Sequence, residues 1–178
     1  MTIPGDLIIR QATPADTDGL LDAERLAFGE PEEAELVEAL CAGDSFVPEL
    51  SLVAEHEGLI VGHILFTHAR VGDVDAALLA PLAVVPEHQR KGVGTALGHA
   101  GLRIARELGF GAALVLGHPE YYPRFGFEPA IPLGVVPPYP VDPAEAWMAL
   151  ELIPGALARA RGAVSVAPEI DHPEMWRE

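Results

Sequence analysis

The sequence has one cysteine, few basic residues and no long hydrophobic segment, and each shortage excludes a class of protein. Because Cys41 is the single cysteine, no intrachain disulfide can form, and we expect a reducing compartment. No apolar run reaches the roughly 20 residues that a transmembrane helix needs. Residues 1–6 lack the basic region and apolar stretch of a signal peptide. These features predict a cytoplasmic protein that does not contact a membrane.

Acidic residues outnumber basic ones by 27 to 11, which gives the chain of 178 residues a formal net charge of −16. An acidic surface repels phosphate backbones, so we expect no nucleic-acid partner. The same surface attracts amines, which are cations at neutral pH, although solubility alone is the simpler explanation of the charge. Arg90 and Lys91 are a local exception, because both stand beside Gly92 in a glycine-containing turn.

Motifs for metal sites and for several nucleophiles are also missing. The seven histidines form no His-Glu-x-x-His pattern and have no cysteine partners, so we expect no metal site. No Gly-x-Ser-x-Gly segment is present, which excludes the nucleophile elbow of a serine hydrolase. Cys41 falls on the apolar face of a predicted helix, where a core position is a better interpretation than a nucleophile.

Length and a hydrophobic content of 49% fit one domain with a full core. Thr13 and Pro14 predict the start of a first helix, and Gly29 and Gly109 predict the ends of the first and third helices. Apolar periodicity predicts strands over residues 7–12, 50–55, 59–67, 76–85, 112–117 and 146–152, a short strand near 164–166, and helices over 13–28, 32–41 and 93–108. This order of elements predicts an α+β domain with a mixed, mostly antiparallel sheet.

The junction between the fourth predicted strand and the third helix is the most informative segment. The strand stops at Pro86, and the pattern Gln89-x-x-Gly92-x-Gly94 opens the helix. Glycines let main-chain N–H groups approach a ligand, and the helix start adds unpaired donors and a positive dipole end, which together suit a pyrophosphate. A nucleotide P-loop needs Lys and Ser or Thr directly after its last glycine, and a dinucleotide-binding fingerprint needs a glycine at the position of Leu97. The segment therefore matches neither of these two motifs. The alternative to a pyrophosphate-binding loop is a strand–helix turn whose glycines serve the backbone geometry alone.

This junction resembles the coenzyme A loop of the GCN5-related N-acetyltransferase (GNAT) family. A second segment, Tyr121-Tyr122-Pro123-Arg124-Phe125-Gly126-Phe127, resembles the aromatic-Tyr-x-x-x-Gly-Phe segment that follows the fifth strand in this family. The order of predicted elements is similar over residues 7–152. Segments 48–53, 81–84 and 116–127, and the tail after residue 152, are similar to a bacterial subgroup of predicted N-acetyltransferases.

The resemblance implies a GNAT fold, in which the central sheet is splayed between its fourth and fifth strands and flanked by helices. It implies a GNAT acetyltransferase domain over residues 1–152 and a C-terminal extension, 153–178, packed on the same domain. It further implies transfer of an acetyl group from acetyl-coenzyme A to an amine by direct attack in a ternary complex, without a metal. The acceptor would be a small-molecule or peptide amine, and homodimers are frequent in the family.

Site residues are implied where the sequence matches the family motifs. Tyr122, four residues before Gly126, matches the tyrosine that acts as general acid to the departing thiolate, and a phenol with a pKa of about 10 is protonated at neutral pH. We expect core positions for Tyr121, Phe125 and Phe127. Strand main-chain groups would bind pantetheine and polarise the thioester carbonyl, and the loop would hold the pyrophosphate. The implied cofactor-binding residues are Leu82, Ala83, Val84, Val85, Gln89, Arg90, Lys91, Gly92, Val93, Gly94 and Thr95.

The general base is not assigned by the sequence. Relatives often place a carboxylate on or beside the fourth strand, yet residues 78–85 contain none. The candidates are His118, Glu120, His63, Glu49 and Glu55, and a water chain would also serve. The missing carboxylate leaves a second hypothesis open, namely a catalytically weak coenzyme A-binding regulatory or sensor module, against which the tyrosine argues.

Overall fold

The computed structural model describes residues 3–177, which form a nine-stranded sheet and four α-helices. Short 3-10 turns connect several of these elements, and one of them lies at Tyr122–Phe125. In chain order the strands and helices are β1 (Ile8–Gln11), α1 (Thr17–Phe28), α2 (Glu32–Ala42), β2 (Phe46–His56), β3 (Leu59–Val71), β4 (Val74–Val84), α3 (Val93–Glu107), β5 (Ala112–Leu116), β6 (Glu128–Pro129), β7 (Val135–Val136), β8 (Trp147–Glu151), α4 (Ala156–Arg159) and β9 (Gly162–Ser165).

The sheet is splayed between β4 and β5. Its main path has the order β1-β2-β3-β4-β5-β8-β6, and every neighbouring pair on this path is antiparallel except β4 and β5, which are parallel. The β4–β5 register ends at Leu79 opposite Val115. Pro81 follows soon after and cannot donate a ladder hydrogen bond, while β4 continues beside β3 as far as Val84. The predicted fold class is confirmed, including the position of the splay.

Helices cover both faces of the sheet. The side chains of α1 and α2 join one apolar cluster, which includes Leu21 and Leu40, and those of α3 join another, which includes Leu97 and Ala105.

The predicted start of the first helix is confirmed. The turn Pro14–Asp16 leads into α1, and the backbone N–H of Thr13 donates to the Asp16 carboxylate at 2.7 Å. Arg10 of β1 donates to both oxygens of the same carboxylate at 2.7 and 2.8 Å. This bidentate bond holds the pKa of Asp16 well below its usual range and fixes β1 to the start of α1.

Strands β2, β3 and β4 are longer than predicted. The apolar pattern of β3 stops at the polar residues His68 and Arg70, which in the structure alternate with buried residues such as Ala69. A hairpin turn at Gly72 and Asp73 then joins β3 to β4, and Gly72 has a positive φ of 57°. A Gly-Asp pair between strands is typical of two-residue hairpin turns, so the sequence already contained the pattern that marks this turn.

The residues after β8 pack against the face covered by α1 and α2. The predicted short strand is present as β9, two residues earlier than expected, and it pairs with β3 and β7. Trp176 packs edge-on against Trp147 with ring centroids 5.3 Å apart, and its Nε1 donates to the Ile170 carbonyl at 2.8 Å. Within residues 3–177, no helix is both long enough and apolar enough to cross a membrane.

Candidate functional site

A cavity of about 760 Å³ opens at the gap between β4 and β5. Its walls come from the end of β4, the loop that leads into α3, the end of β5, the turn Tyr122–Phe125, and the junction of α1 with α2. These parts are distant in sequence, and the splay brings them together around one space.

The loop between β4 and α3 is shaped by its own backbone. Gln89 Nε2 donates to the Val84 carbonyl at 2.9 Å, which ties the loop back to β4. Arg90 and Gly92 have positive φ values of 60° and 84°. Left-handed residues in such a loop turn neighbouring N–H groups toward one side, which is the geometry of an anion-binding backbone nest.

The end of the cavity beside α3 is cationic. The first N–H groups of α3 have no intrahelical partner, and residues 93–96 are all uncharged, so no carboxylate competes for the positive end of the helix dipole. Arg90 and Arg124 also line the cavity, and Arg124 Nη1 donates to Thr95 Oγ1 at 3.5 Å. The arrangement is therefore suited to a phosphate group.

Tyr121 is only partly the core residue that the sequence predicts, because it also lines the cavity. Its side chain is half-buried and lines the cavity, and a Cβ added at Gly94 would lie 2.6 Å from its hydroxyl oxygen. The Arg124 guanidinium lies over its ring, 3.8 Å from the ring centroid. Burial raises the pKa of Tyr121, against the opposite effect of Arg124. Tyr121 also packs against the apolar cluster, so the prediction holds in part. Its place at the cavity was not predictable, because an aromatic cluster gives no periodicity that separates this residue from Phe125 and Phe127, which are buried as expected.

Tyr122 lies where the two strands separate. It is 9% exposed and lines the cavity, and its ring rests on Gly117, where an added Cβ would lie 2.4 Å from a ring carbon. Gly117 directly follows β5, and its N–H donates to the Ala146 carbonyl at 2.9 Å, which fixes the backbone beneath the ring. The ring also packs edge-on against Tyr121 and Phe127. The phenol is thus held in a defined position at the splay.

The part of the cavity wall that comes from the junction of α1 with α2, called its acidic end below, is acidic and apolar. Glu33, in the first turn of α2, and Phe28, the last residue of α1, both line it. Glu33 Oε2 is buried and has no hydrogen-bond partner among residues 3–177. The Phe28 side chain is partly open to solvent and forms an apolar wall. Neither residue was singled out from the sequence, although Glu33 shares a helix face with Leu36 and Leu40, and an acidic residue on an apolar stripe is a recognisable signal.

Seven of the eleven predicted coenzyme A-binding residues line the cavity: Leu82, Val84, Gln89, Arg90, Gly92, Gly94 and Thr95. The other four do not line it. Ala83 and Val93 are each 1% exposed, Val85 is half-buried, and Lys91 is exposed. The structure thus brings most of the predicted set together, and their contact with a ligand stays a prediction.

Of the five candidate general bases, His118 lines the cavity and the others do not. Glu55 is held in an ion pair with an arginine of β1, and Glu49 and Glu120 are exposed. His63 is fully buried away from the cavity. Apart from His118, the candidates are therefore poorly placed to reach a ligand in the cavity.

A buried polar cluster, Glu24–His63–Ser51, joins α1 to β2 and β3. His63 Nδ1 lies 2.6 Å from Glu24 Oε1, and His63 Nε2 lies 3.0 Å from Ser51 Oγ. Burial raises the pKa of Glu24, the bond to His63 opposes this, and the negative charge of Glu33 raises the pKa further. Glu24 and Glu33 are therefore electrostatic neighbours, although only Glu33 lines the cavity.

Two other groups of reactive side chains have structural explanations. Burial raises the pKa of Cys41 to about 11, which disfavours the thiolate. Asp6, His56 and Glu57 bring possible ligand atoms within 4.8 Å of one another. However, both ring nitrogens of His56 are engaged, one with Asp6 at 2.8 Å and the other with His88 at 3.3 Å. These contacts account for the cluster without an ion.

The acetyltransferase (GNAT) family model matches residues 17–127, which include α1, the loop after β4 and the tyrosine at the splay. The chain belongs to this family. The match confirms the family and the class of enzyme that the two sequence motifs predict.

Relatives of this GNAT protein extend over most of its length. YjhQ of Escherichia coli K12, described as an uncharacterized N-acetyltransferase, is 46% identical over 141 residues, which cover 75% of this chain and 78% of YjhQ. YhbS of the same strain, described in the same words, is 36% identical over 125 residues, which cover 68% of this chain and 74% of YhbS. These similarities support the predicted bacterial subgroup.

Solved structures of GNAT proteins are also similar. A crystal structure of E. coli YhbS in complex with coenzyme A has a TM-score of 0.86 and 31% identity, covering 97% of this chain and 96% of that one. A GNAT acetyltransferase from Brucella melitensis in complex with acetyl-coenzyme A has a TM-score of 0.75 and 28% identity, covering 93% of this chain and 98% of that one.

Proposed function

We propose that this GNAT protein moves an acetyl group from acetyl-coenzyme A to an amine, by direct attack in a ternary complex. The observation that carries the proposal is one cavity that joins a cationic backbone loop, the gap between β4 and β5, and Tyr122. The two similar solved structures contain coenzyme A and acetyl-coenzyme A, which supports the same co-substrate here.

The loop and the first turn of α3 hold the pyrophosphate. Main-chain N–H groups of Gly92 and Gly94 donate to phosphate oxygens, the Thr95 hydroxyl adds a donor, and Arg90 supplies opposite charge at the cavity wall. The edge of β4 that diverges from β5 offers main-chain groups to the pantetheine arm, and an N–H in residues 82–85 polarises the thioester carbonyl. One oxyanion donor of this kind typically stabilises the transition state by about 3 kcal/mol.

Tyr122 supplies the proton for the leaving group. The neutral amine attacks the carbonyl carbon of the thioester, the C–S bond breaks, and the phenol donates its proton to the departing thiolate. The ring is fixed on Gly117, so the hydroxyl is positioned before the reaction begins.

We retain two further proposals from the sequence. The first is a domain over residues 1–152 with 153–178 as an extension on the same core, which the pairing of β9 with β3 supports. The second is a reducing, cytoplasmic location, which rests on the single Cys41.

Acetyl-coenzyme A should raise the melting temperature of the protein. A ligand that binds only the folded state stabilises it by about 2.7 kcal/mol at a hundredfold excess over its Kd, which for a domain of this size corresponds to a shift of about 5–10 °C. Differential scanning calorimetry with millimolar ligand measures this shift. ATP and NAD are the matched controls, because they carry adenine and linked phosphates but no pantetheine, and they should shift the transition much less. An unchanged transition with acetyl-coenzyme A would show that the assignment of the cavity is wrong.

Gly94→Val should abolish that shift while the protein remains folded. The new side chain would meet the Tyr121 hydroxyl and approach the side chains of Val84 and Leu82, and it would occupy the space beside the backbone that a phosphate approaches. Titration calorimetry with coenzyme A gives the Kd of both proteins.

A double variant, Gly94→Val with Tyr121→Phe, separates two explanations for a loss of binding. It removes the hydroxyl that valine would displace, so binding should stay weak if backbone access is what the valine blocks. Recovery of the parent Kd in the double variant would instead show that displacement of Tyr121 was the cause, and would contradict the assignment of the pyrophosphate to this turn.

A further inference from the structure

The cavity has opposite charge at its two ends. Arg90 and Arg124 line it beside α3, on one face of the sheet, and Glu33 lines it from α2, on the other face. The pyrophosphate belongs at the cationic end. The acidic end, beyond the splay, is therefore the side from which an acceptor reaches the thioester.

Among residues 3–177, Glu24, Glu33 and Glu169 each have a buried carboxylate oxygen without a hydrogen-bond partner, and of these three residues it is Glu33 that lines the cavity. Glu33 Oε2 has no hydrogen-bond donor among the described residues, although buried polar atoms in proteins are nearly always paired. A positively charged N–H group in the cavity would satisfy this oxygen with a charge-assisted bond.

We propose that Glu33 binds the ammonium group of the acceptor and accepts its proton, so that it is the general base that the sequence leaves unassigned. The inference rests on the proposed acetyl transfer and extends it to the class of acceptor. That class is an organic primary amine with an apolar body and no carboxylate beside the amine. Phe28 lines the same cavity as Glu33 and offers an apolar surface to the body of the acceptor, whereas a carboxylate beside the amine would lie against the charge of Glu33.

Protons and bonds balance with this assignment. The ammonium group transfers one proton to the Glu33 carboxylate and becomes a neutral amine. The amine nitrogen bonds to the thioester carbon, the C–S bond breaks, and the thiolate takes the proton of Tyr122. The nitrogen loses its second proton to solvent as the amide forms, and Glu33 and Tyr122 return to their starting states by exchange with solvent.

The test compares Glu33→Gln with Glu35→Gln. Glu35 stands in the same first turn of α2, is exposed, and carries the same charge, so its variant controls for net charge and for the helix. The acceptors are phenethylamine and isopentylamine, each paired with the counterpart that carries a carboxylate beside the amine, phenylalanine and leucine. Release of coenzyme A is followed with a thiol reagent, and acetyl-coenzyme A binding of every variant is measured by its thermal shift.

We expect the parent to acetylate the two amines at least tenfold faster than their carboxylated counterparts. Glu33→Gln should lower kcat/KM for the amines by about 100-fold, at the lower end of general acid–base effects because water can replace part of the role. Glu33→Asp should recover part of the loss. Glu35→Gln should stay within twofold of the parent.

A weakly basic acceptor distinguishes a base from a merely structural residue. O-benzylhydroxylamine has an uncharged nitrogen at neutral pH, so it needs neither an anion for its charge nor a base before attack. Its rate should be nearly the same in the parent and in Glu33→Gln. An equal loss with this acceptor and with phenethylamine would show that the substitution damages the site generally, and would overturn the role of Glu33 as base.

The remaining outcomes separate this inference from the proposed function. If acetyl-coenzyme A shifts the melting temperature but neither amine is acetylated, or the carboxylated counterparts are preferred, the inference is wrong and co-substrate binding stands. If acetyl-coenzyme A produces no shift, the proposed function itself is contradicted, and so is the role of Glu33 that rests on it.

Discussion

Tyr122→Phe should lower kcat by about 10²- to 10⁴-fold, the range typical of a lost general acid. The substitution removes one hydroxyl and keeps the ring that rests on Gly117 and packs against Phe127. Packing and co-substrate binding should therefore survive, while the thiolate loses its proton donor. The measurement is kcat at saturating acetyl-coenzyme A, together with the Kd for coenzyme A and the melting temperature of both proteins.

Tyr121→Phe is the matched control, because the chain places a second tyrosine next to the first in the same cavity. The Tyr121 hydroxyl lies beside Gly94, at the end of the cavity assigned to the pyrophosphate. Its removal should weaken the Kd for coenzyme A by a few fold and leave kcat nearly unchanged. The opposite pattern, with kcat lost in Tyr121→Phe and kept in Tyr122→Phe, would exchange the roles of the two residues. Losses of affinity and melting temperature in Tyr122→Phe would show that its hydroxyl is structural.

Turnover also tests the second hypothesis from the sequence, a catalytically weak coenzyme A-binding sensor. Both hypotheses predict a thermal shift with acetyl-coenzyme A, so binding alone does not separate them. The sensor hypothesis arose because residues 78–85 of β4 contain no carboxylate. The structure weakens that argument, since a carboxylate reaches the same cavity from α2 at Glu33.

The sequence was sufficient to predict the loop before α3 at the cationic end of the cavity, although not Arg124, which reaches the same end from the turn after β5. Gln89, Gly92 and Gly94 are close in the chain, and their spacing predicts a glycine-containing turn at this position. The positive φ of Gly92 and the bond from Gln89 to the Val84 carbonyl agree with a turn that exposes N–H groups. A local pattern was enough here because the whole loop is local.

The acidic end was not predictable in the same way, because its residues come together only through tertiary packing. Glu33 lies more than eighty positions before Tyr122 in the chain, and the splay between β4 and β5 brings both to one cavity. The single local clue was an acidic residue on an apolar helix face. Tyr121 illustrates a second limit, since its position beside Gly94 depends on how the turn after β5 packs on α3.

Glu24 and His63 show the same sequence pattern as Glu33, because each is an ionisable residue within an apolar segment. The structure nevertheless places them in the core rather than at the cavity. Glu24 is flanked on its helix face by Leu20 and Leu21, and His63 lies in the apolar part of β3. The sequence pattern marks a buried ionisable group but does not tell whether its partner is a side chain or a ligand. For Glu24 the partner is His63, and for Glu33 we infer that it is the acceptor.

His63→Leu should lower the free energy of unfolding by about 3–5 kcal/mol, because it leaves the buried Glu24 carboxylate without its partner. Both side chains are 0% exposed, and the bond between them is 2.6 Å long. Replacing both, in His63→Leu with Glu24→Leu, should recover most of the loss, since two well-packed apolar side chains can substitute for a buried pair at little cost. Urea denaturation of the parent, both single variants and the double variant gives the coupling free energy.

The dependence of this loss on pH tests its electrostatic origin. Burial raises the pKa of Glu24 in the folded state above its unfolded value, so its contribution to stability is fully present below the unfolded pKa and is lost as pH rises through the folded pKa. Without His63 the carboxyl group is neutral over a wider range of pH in the folded state. The loss caused by His63→Leu should therefore be smaller at pH 5 than at pH 7.5, and the double variant should show little such dependence. A loss below about 1 kcal/mol at pH 7.5, or one that does not change with pH, would show that packing around His63 matters more than its pairing with Glu24.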